Sequence, residues 1–491
     1  MRLGVSFFVS GLILTVFGVS MLIPGTLDFV NGSPFANAFW LSSAITCFFG
    51  ALFMLMFYDD FEKLTGREMY LTVTTVWLSV CSFCALPFYF APDPLNFTDS
   101  FFEAMSGLTT MGASVYPTLS GCSHGILLWR AMLHWIGGLG IIVIALAILP
   151  MLRVGGMQMF SMESSDKSGK NMPKTSQVVG TLMLVYVCAT IVCLGALALS
   201  GLSVFDSVAY AMSTVASGGF APYDSSAGAL TPLQQWIVIF FMFISGLPLF
   251  FLYFVCTGNR EKIKNDTQVK TYVGIILALS AAIAAYMGFA HPERPLENIV
   301  RNVLFGVLAI ITTAGFTTED YMLWGAFPVA VFFFLTGVGG CSGSTTGGIK
   351  IFRFNILYFS ALKNLRNKIL PHGIFITKFN GEPVTQDVTD GVFLFFSIFL
   401  IVLVLSSLAL SLCGLDLLTA LSGSMSALGN VGPAISGVIG PANTYAALPK
   451  AAKWIMSLDM MLGRLEYMAV LVLLLPLAWR KDKSKRSWIA F

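Results

Sequence analysis

Long apolar stretches alternate with short polar connectors along this chain, and the stretches are apolar continuously rather than at every second residue. A continuous run of about 20 apolar residues is the pattern of a helix in hydrocarbon. A barrel strand would alternate lipid-facing and lumen-facing positions. Runs near 3–27, 38–58, 69–90, 125–150, 176–200, 232–256, 271–290, 323–350, 391–413 and 452–478 read as crossings. Four further apolar stretches of about 10–14 residues are too short to cross a ~30 Å hydrocarbon core as a helix. Each runs into small residues, at 109–114, 214–220, 311–316 and 428–433. The glycines there, Gly112, Gly219, Gly315 and Gly432, recur at intervals of 107, 96 and 117 residues. Near-constant spacing of this kind marks an internal repeat.

The repeated unit is a crossing, a short helix, a small-residue loop and a second crossing. Two crossings per unit bring every unit back to the same side, so all four loops enter from one face, about an axis along the membrane normal. The expected fold is an all-α polytopic membrane protein, with four parallel helix–pore-helix–helix repeats around a central pore, preceded by two extra transmembrane helices. Residues 1–66 hold the leading pair, and 67–152, 153–258, 259–370 and 371–491 hold the four repeats, the last with a basic tail. The first run lacks a small-residue cleavage site and reads as an anchor. Of 28 Lys and Arg residues, 22 fall in one set of connectors. The positive-inside rule makes that side cytoplasmic, with both termini on it and the loops opening outward.

Composition agrees: 56% of residues are hydrophobic and 11% charged, against about 25% charged in soluble proteins. A net charge of +3 is too small to point to nucleic acid. Cys81 and Cys84 form a C-x-x-C, but within an apolar run, without a second pair or a nearby histidine, so neither zinc nor redox use is read there.

Glycine at the four loops has a physical reason. A ring of carbonyls needs backbone in unusual conformations close to an axis, and glycine reaches positive φ without steric cost. Backbone carbonyls can replace the hydration shell of a weakly hydrated cation such as K⁺. The expected ion-binding residues are Thr110, Met111 and Gly112; Ser217, Gly218 and Gly219; Thr313, Ala314 and Gly315; and Asn430, Val431 and Gly432. Close helix packing by small residues is the competing account, and four glycines placed alike after short helices favour the filter. Asp99, Asp206 and Asp416 precede the loops, with Asn302 in the matching place, and are expected to cap the short helices. The helices' negative carboxyl ends then point at the loops.

Residues 336–348 are mostly Gly, Ser and Thr in the middle of an expected crossing. Irregular backbone at this depth is tolerated where it lines a cavity or is buried in protein. A broken helix is expected, its loop beneath the third filter segment and carried by Gly339, Gly340, Ser342, Gly343, Ser344, Thr345, Thr346 and Gly347. A glycine hinge between helices is the alternative. The resemblance to a phosphate loop is accidental, because Ile349 stands where Lys is required. Arg464 lies in an apolar run and needs an inward partner. Asp459, Glu466 and the carbonyls and hydroxyls of 336–348 are the candidates, with a purely structural ion pair as the competing role.

These loops, the interruption followed by Gly347, Gly348, Ile349 and Lys350, and the run Gly463, Arg464, Leu465, Glu466 resemble the Trk/Ktr/HKT superfamily of potassium transporters, in its TrkH-type branch. The resemblance covers nearly the whole chain. It implies potassium uptake across the bacterial cytoplasmic (inner) membrane, a homodimer with one pore per subunit, and a TrkA-type cytoplasmic nucleotide-binding partner. It also implies that the glycine-rich loop and Arg464 gate the pore. Gly112, where some members have serine, favours K⁺ over Na⁺, while Met111 departs from the commoner hydroxyl residue. The connectors are too small for a regulatory domain, so the partner is expected on 153–175 and 353–385. An ion-coupled secondary transporter, K⁺/H⁺ or K⁺/Na⁺, is the alternative, with Asp459, Arg464, Glu466 and His134 as the deep ionisable residues. An enzyme is disfavoured, since no catalytic set recurs in the loops.

Overall fold

The long apolar runs become long helices, and the short ones become short helices ending in tight turns. A computed structural model describes residues 3–58, 66–147, 175–258, 263–264, 266–373 and 375–479. Among the described residues, six helices are long and apolar enough to cross a membrane: Leu3–Val30, Ala36–Met56, Glu68–Tyr89, Val179–Leu199, Thr267–Ala290 and Gln386–Leu412. His124–Ala147 is a further long helix, with Arg130 and His134 buried on it. The described sheet structure is one two-stranded ladder, Lys378–Phe379 against Glu382–Pro383.

Three expected crossings are broken. The run 232–256 consists of Pro232–Ser245 and Leu249–Thr257, bent by 101°. Pro248 lies at the bend in extended backbone, and a proline both lacks an N–H and disfavours helix in the residue before it. The run 323–350 ends as a helix at Leu335 and resumes only with Ile351–Ile369. That second helix occupies the start of the expected connector. The run 452–478 is helical over Lys450–Arg464, is interrupted at Glu466 and Tyr467, both at positive φ, and resumes at Met468–Leu474.

The four helices expected to line the pore are Phe97–Leu108, Val204–Val215, Leu296–Ile311 and Leu417–Gly429, of 12, 12, 16 and 13 residues. At 1.5 Å per residue each spans roughly 18–24 Å, less than the ~30 Å core. Their starts correct the expected caps. Asn96 and Ser203 cap the first two, accepting from the amides of Asp99 and Asp206, which sit one turn inside. Of the three aspartates only Asp416 is itself the cap, accepting from the Thr419 amide. Asn302 lies well inside the third helix, which begins earlier than expected, after Pro295. Two apolar clusters hold the helices: Phe102, Trp129, Leu428 and Met460 belong to one, and Tyr210, Phe305, Leu308 and Val431 to the other.

Candidate functional site

Each pore helix ends in the same way. Thr110, Ser217, Thr313 and Asn430 adopt left-handed backbone, with φ of 57°, 56°, 55° and 53°. Their amides donate to the carbonyl three residues back, at 2.9–3.2 Å. In turns one, two and four the next amide reaches five residues back: Met111 to Ser106, Gly218 to Ser213, and Val431 to Ser426. This is the Schellman ending of a helix, which usually puts glycine or asparagine in the left-handed place. Threonine there is a true outlier, because a β-branched side chain crowds the backbone. Two residues on, Gly112, Gly219, Gly315 and Gly432 also have positive φ. The twin left-handed positions were not legible in the sequence, which pointed only to the glycines.

The turns close on one another in chain order. A Cβ on Gly112 would meet the carbonyl oxygen of Gly218, one on Gly219 that of Ala314, and one on Gly315 that of Val431. A Cβ on Gly432 would meet the carbonyl oxygen of Met111, which completes the circuit. The residues met are in every case those just before the next turn's glycine. All twelve expected ion-binding residues therefore lie in one closed ring of turns.

Residues 336–350 fold back on themselves. Val338 and Ile349 bridge, with the Gly339 amide donating to Ile349 O at 2.9 Å and the Ile351 amide to Gly340 O at 3.1 Å. Cβ atoms on Gly339 and Gly348 would each collide with the other limb. The loop docks on the bend of the second repeat: Cys341 N–H donates to Gly246 O, and Leu249 N–H to Gly343 O, both at 3.0 Å. Ser342 N–H donates to Gln268 Oε1 at 2.7 Å. Ser344 and Thr346 hydroxyls lie 2.7 Å apart, and Thr346 Oγ1 accepts from the Gly340 amide. The loop also touches the ring. Thr345 and Ser217 hydroxyls are 2.9 Å apart, and the Gly347 amide donates to Thr313 Oγ1 at 2.7 Å.

Arg464, 2% exposed, donates from Nη1 to Thr345 O at 3.2 Å and from Nη2 to Gly137 O at 3.4 Å. Of its candidate partners, the loop carbonyls are the ones it meets. Glu466 pairs instead with Arg353, Nη2 to Oε2 at 2.6 Å, and Asp459 accepts from the Ser406 and Ser424 hydroxyls. His134 stacks on Phe220 with ring centres 4.2 Å apart, and its Nδ1 accepts from the Phe220 amide. The docking segment 153–175 lies outside the described residues, apart from Thr175.

Fold and site together define a class: a multi-pass helical membrane protein in which the ends of four short helices close into a ring. The chain belongs to the TrkH family of cation transport proteins, whose profile matches residues 35–280 and 293–481. The Trk system potassium uptake protein TrkI of Halomonas elongata is 38% identical over 468 residues, covering 95% of each chain. The Trk system potassium uptake protein TrkH of Escherichia coli is 33% identical, over 96% of this chain and 98% of that one. The crystal structure of the potassium transporter TrkH from Vibrio parahaemolyticus superposes with a TM-score of 0.90 at 30% identity, covering 98% of this chain and all of that one.

Proposed function

We propose that this chain takes up K⁺ across the bacterial cytoplasmic membrane, with the ring of turns as its selectivity filter. The observation that carries this reading is the closed circuit of glycines against carbonyls, Gly112 to Gly218, Gly219 to Ala314, Gly315 to Val431 and Gly432 to Met111. Carbonyls packed that closely can stand in for a hydration shell, and the pore helices aim their negative ends at the same place. The relatives' names add the ion. In this reading the loop 336–350 is a gate beneath the filter and Arg464 its latch. A cation near the path opposes a passing cation, and Arg464 holds the loop through Thr345 O.

The working unit is a homodimer in membrane lipid, with both termini cytoplasmic, as the Lys and Arg distribution supports. A separate TrkA-type nucleotide-binding subunit docks on the cytoplasmic connectors. The described part of 353–385, most of the helix Ile351–Ile369 and a two-stranded hairpin, is too small to form a regulatory domain.

Flux of K⁺, Rb⁺ and Na⁺ into proteoliposomes tests the reading. Gly112→Ser puts a side chain against Gly218 O at a φ of +79°. The K⁺ over Na⁺ preference should fall on the order of tenfold, equivalent to about 1.4 kcal/mol. An unchanged ratio in well-folded protein removes Gly112 from the filter, and obligatory exchange or a coupled ion would favour the secondary-transporter alternative.

A further inference from the structure

Behind the first two turns lies a charge pair that the ring itself does not contain. Glu103, in the first pore helix, and Arg130, in His124–Ala147, meet at 2.8 Å with 0% and 2% of their side chains exposed. The Glu103 carboxylate also accepts from Ser114 Oγ at 3.0 Å and from the Val115 amide at 2.8 Å. The Arg130 guanidinium donates from Nη1 to Ala221 O at 3.2 Å and lies 4.0 Å from the centre of the Phe220 ring. Ser114 and Val115 are the second and third residues past Gly112, and Phe220 and Ala221 directly follow Gly219. The pair therefore ties the outward limb of the first turn to that of the second.

A buried ion pair is weak support for stability, because desolvation offsets much of the attraction, whereas losing one partner strands a charge. What this pair provides is fixed geometry: a planar fork holding one limb, a carboxylate holding the other. Further round, Lys453 donates to Ala446 O at 3.0 Å and pairs with Asp99 of the first short helix at 2.7 Å, a charged link with a partly exposed partner, and the direct contacts from limb to limb are neutral. Thr317 N–H donates to Ser226 Oγ at 3.3 Å, Thr317 Oγ1 to Pro441 O at 3.3 Å, and the Tyr445 amide to Ser114 O at 2.8 Å. The step from turn one to turn two is the one held by a fully buried charge pair, with the Asp224 carboxylate accepting from the Leu119 amide and the Thr118 hydroxyl further out.

We propose that Glu103 and Arg130 are positioning residues for ion selection, fixing the separation of the first two turns and with it the Met111 and Gly218 carbonyls. This rests on the filter reading above. The test uses full-length protein in proteoliposomes, with K⁺ and Na⁺ flux normalised to folded protein. Ser114→Ala removes one hydrogen bond from Glu103 and leaves both charges in place. It should lower the K⁺ over Na⁺ ratio about threefold, the scale of one lost hydrogen bond, with a fall in thermal midpoint of no more than a few degrees. Arg130→Lys keeps the charge but loses the fork, and should lower the ratio further wherever it folds. A ratio unchanged in Ser114→Ala overturns the proposal, even if Arg130→Lys destabilises the protein, because a merely structural pair would behave in that way. Gly112→Ser measured alongside separates the two failures. If it lowers the ratio and Ser114→Ala does not, only the positioning role is lost; if neither does, the filter reading has failed as well.

Discussion

The ring of turns and the loop 336–350 are both irregular backbone inside the helical bundle, yet they are held in opposite ways. Each turn is built by its own helix. Its amides reach three and then five residues back, or six in the third turn, and its glycine meets the neighbouring turn's carbonyl. The loop closes at its base through Gly339, Gly340, Ile349 and Ile351, and within itself largely through the side chains of Ser344 and Thr346. Its outer donors and acceptors are matched by other elements: Gly246, Leu249, Gln268, Thr313, Ser217 and Arg464. Bonds within a helix end break only when the helix frays, whereas bonds borrowed from several elements are lost when any of them shifts. On the gate reading proposed above, the ring is the stiff part and the loop the moving one, which is how local stability normally divides between a scaffold and a moving segment.

The largest test of that contrast is Gly219→Ala. The new Cβ would sit at a φ of +86° against Ala314 O. Left-handed backbone alone costs an alanine about 1–2 kcal/mol, and the clash adds to it. K⁺ flux per folded molecule should fall on the order of a hundredfold, and near-normal flux would show that the turns are not locked as described. Next is the latch. Arg464→Ala deletes donors to Thr345 O and Gly137 O, each charge-assisted bond worth about 1.5–3 kcal/mol. Basal flux should rise roughly tenfold or more, and deletion of residues 342–346 should do the same. If Arg464→Ala lowers only the thermal midpoint while both variants close normally, the loop is a structural wedge and the contrast collapses. The smallest effect is expected at a cap. Asn96→Ala removes the acceptor for the Asp99 amide, costing about 1 kcal/mol. Thermal unfolding should move down by a few degrees, with the ion preference unchanged.

The sequence by itself settled what local composition and spacing can settle. Uninterrupted apolar runs mean helices in lipid, because lipid leaves no other partner for backbone amides. Four short helices followed by glycines, and a crossing broken by Gly, Ser and Thr, are visible for the same reason. Each is a property of contiguous residues. The bend at Gly246–Pro248 was missed, and a straight crossing was expected there, although Pro248 is a local signal for a break. What the chain could not reveal were partners brought together through space. Nothing near Thr110, Ser217 or Thr313 announces left-handed backbone, since these are not the glycine or asparagine that such a helix ending usually takes. Glu466 stands two residues from Arg464, yet its ion pair is with Arg353. Arg464 reaches instead to Thr345 and Gly137, and Arg130 reaches to Glu103 and Ala221. Apolar periodicity encodes which residues leave water. A buried charge or carbonyl takes whichever complementary group the packed helices bring within about 3 Å, and only the tertiary structure decides which group that is.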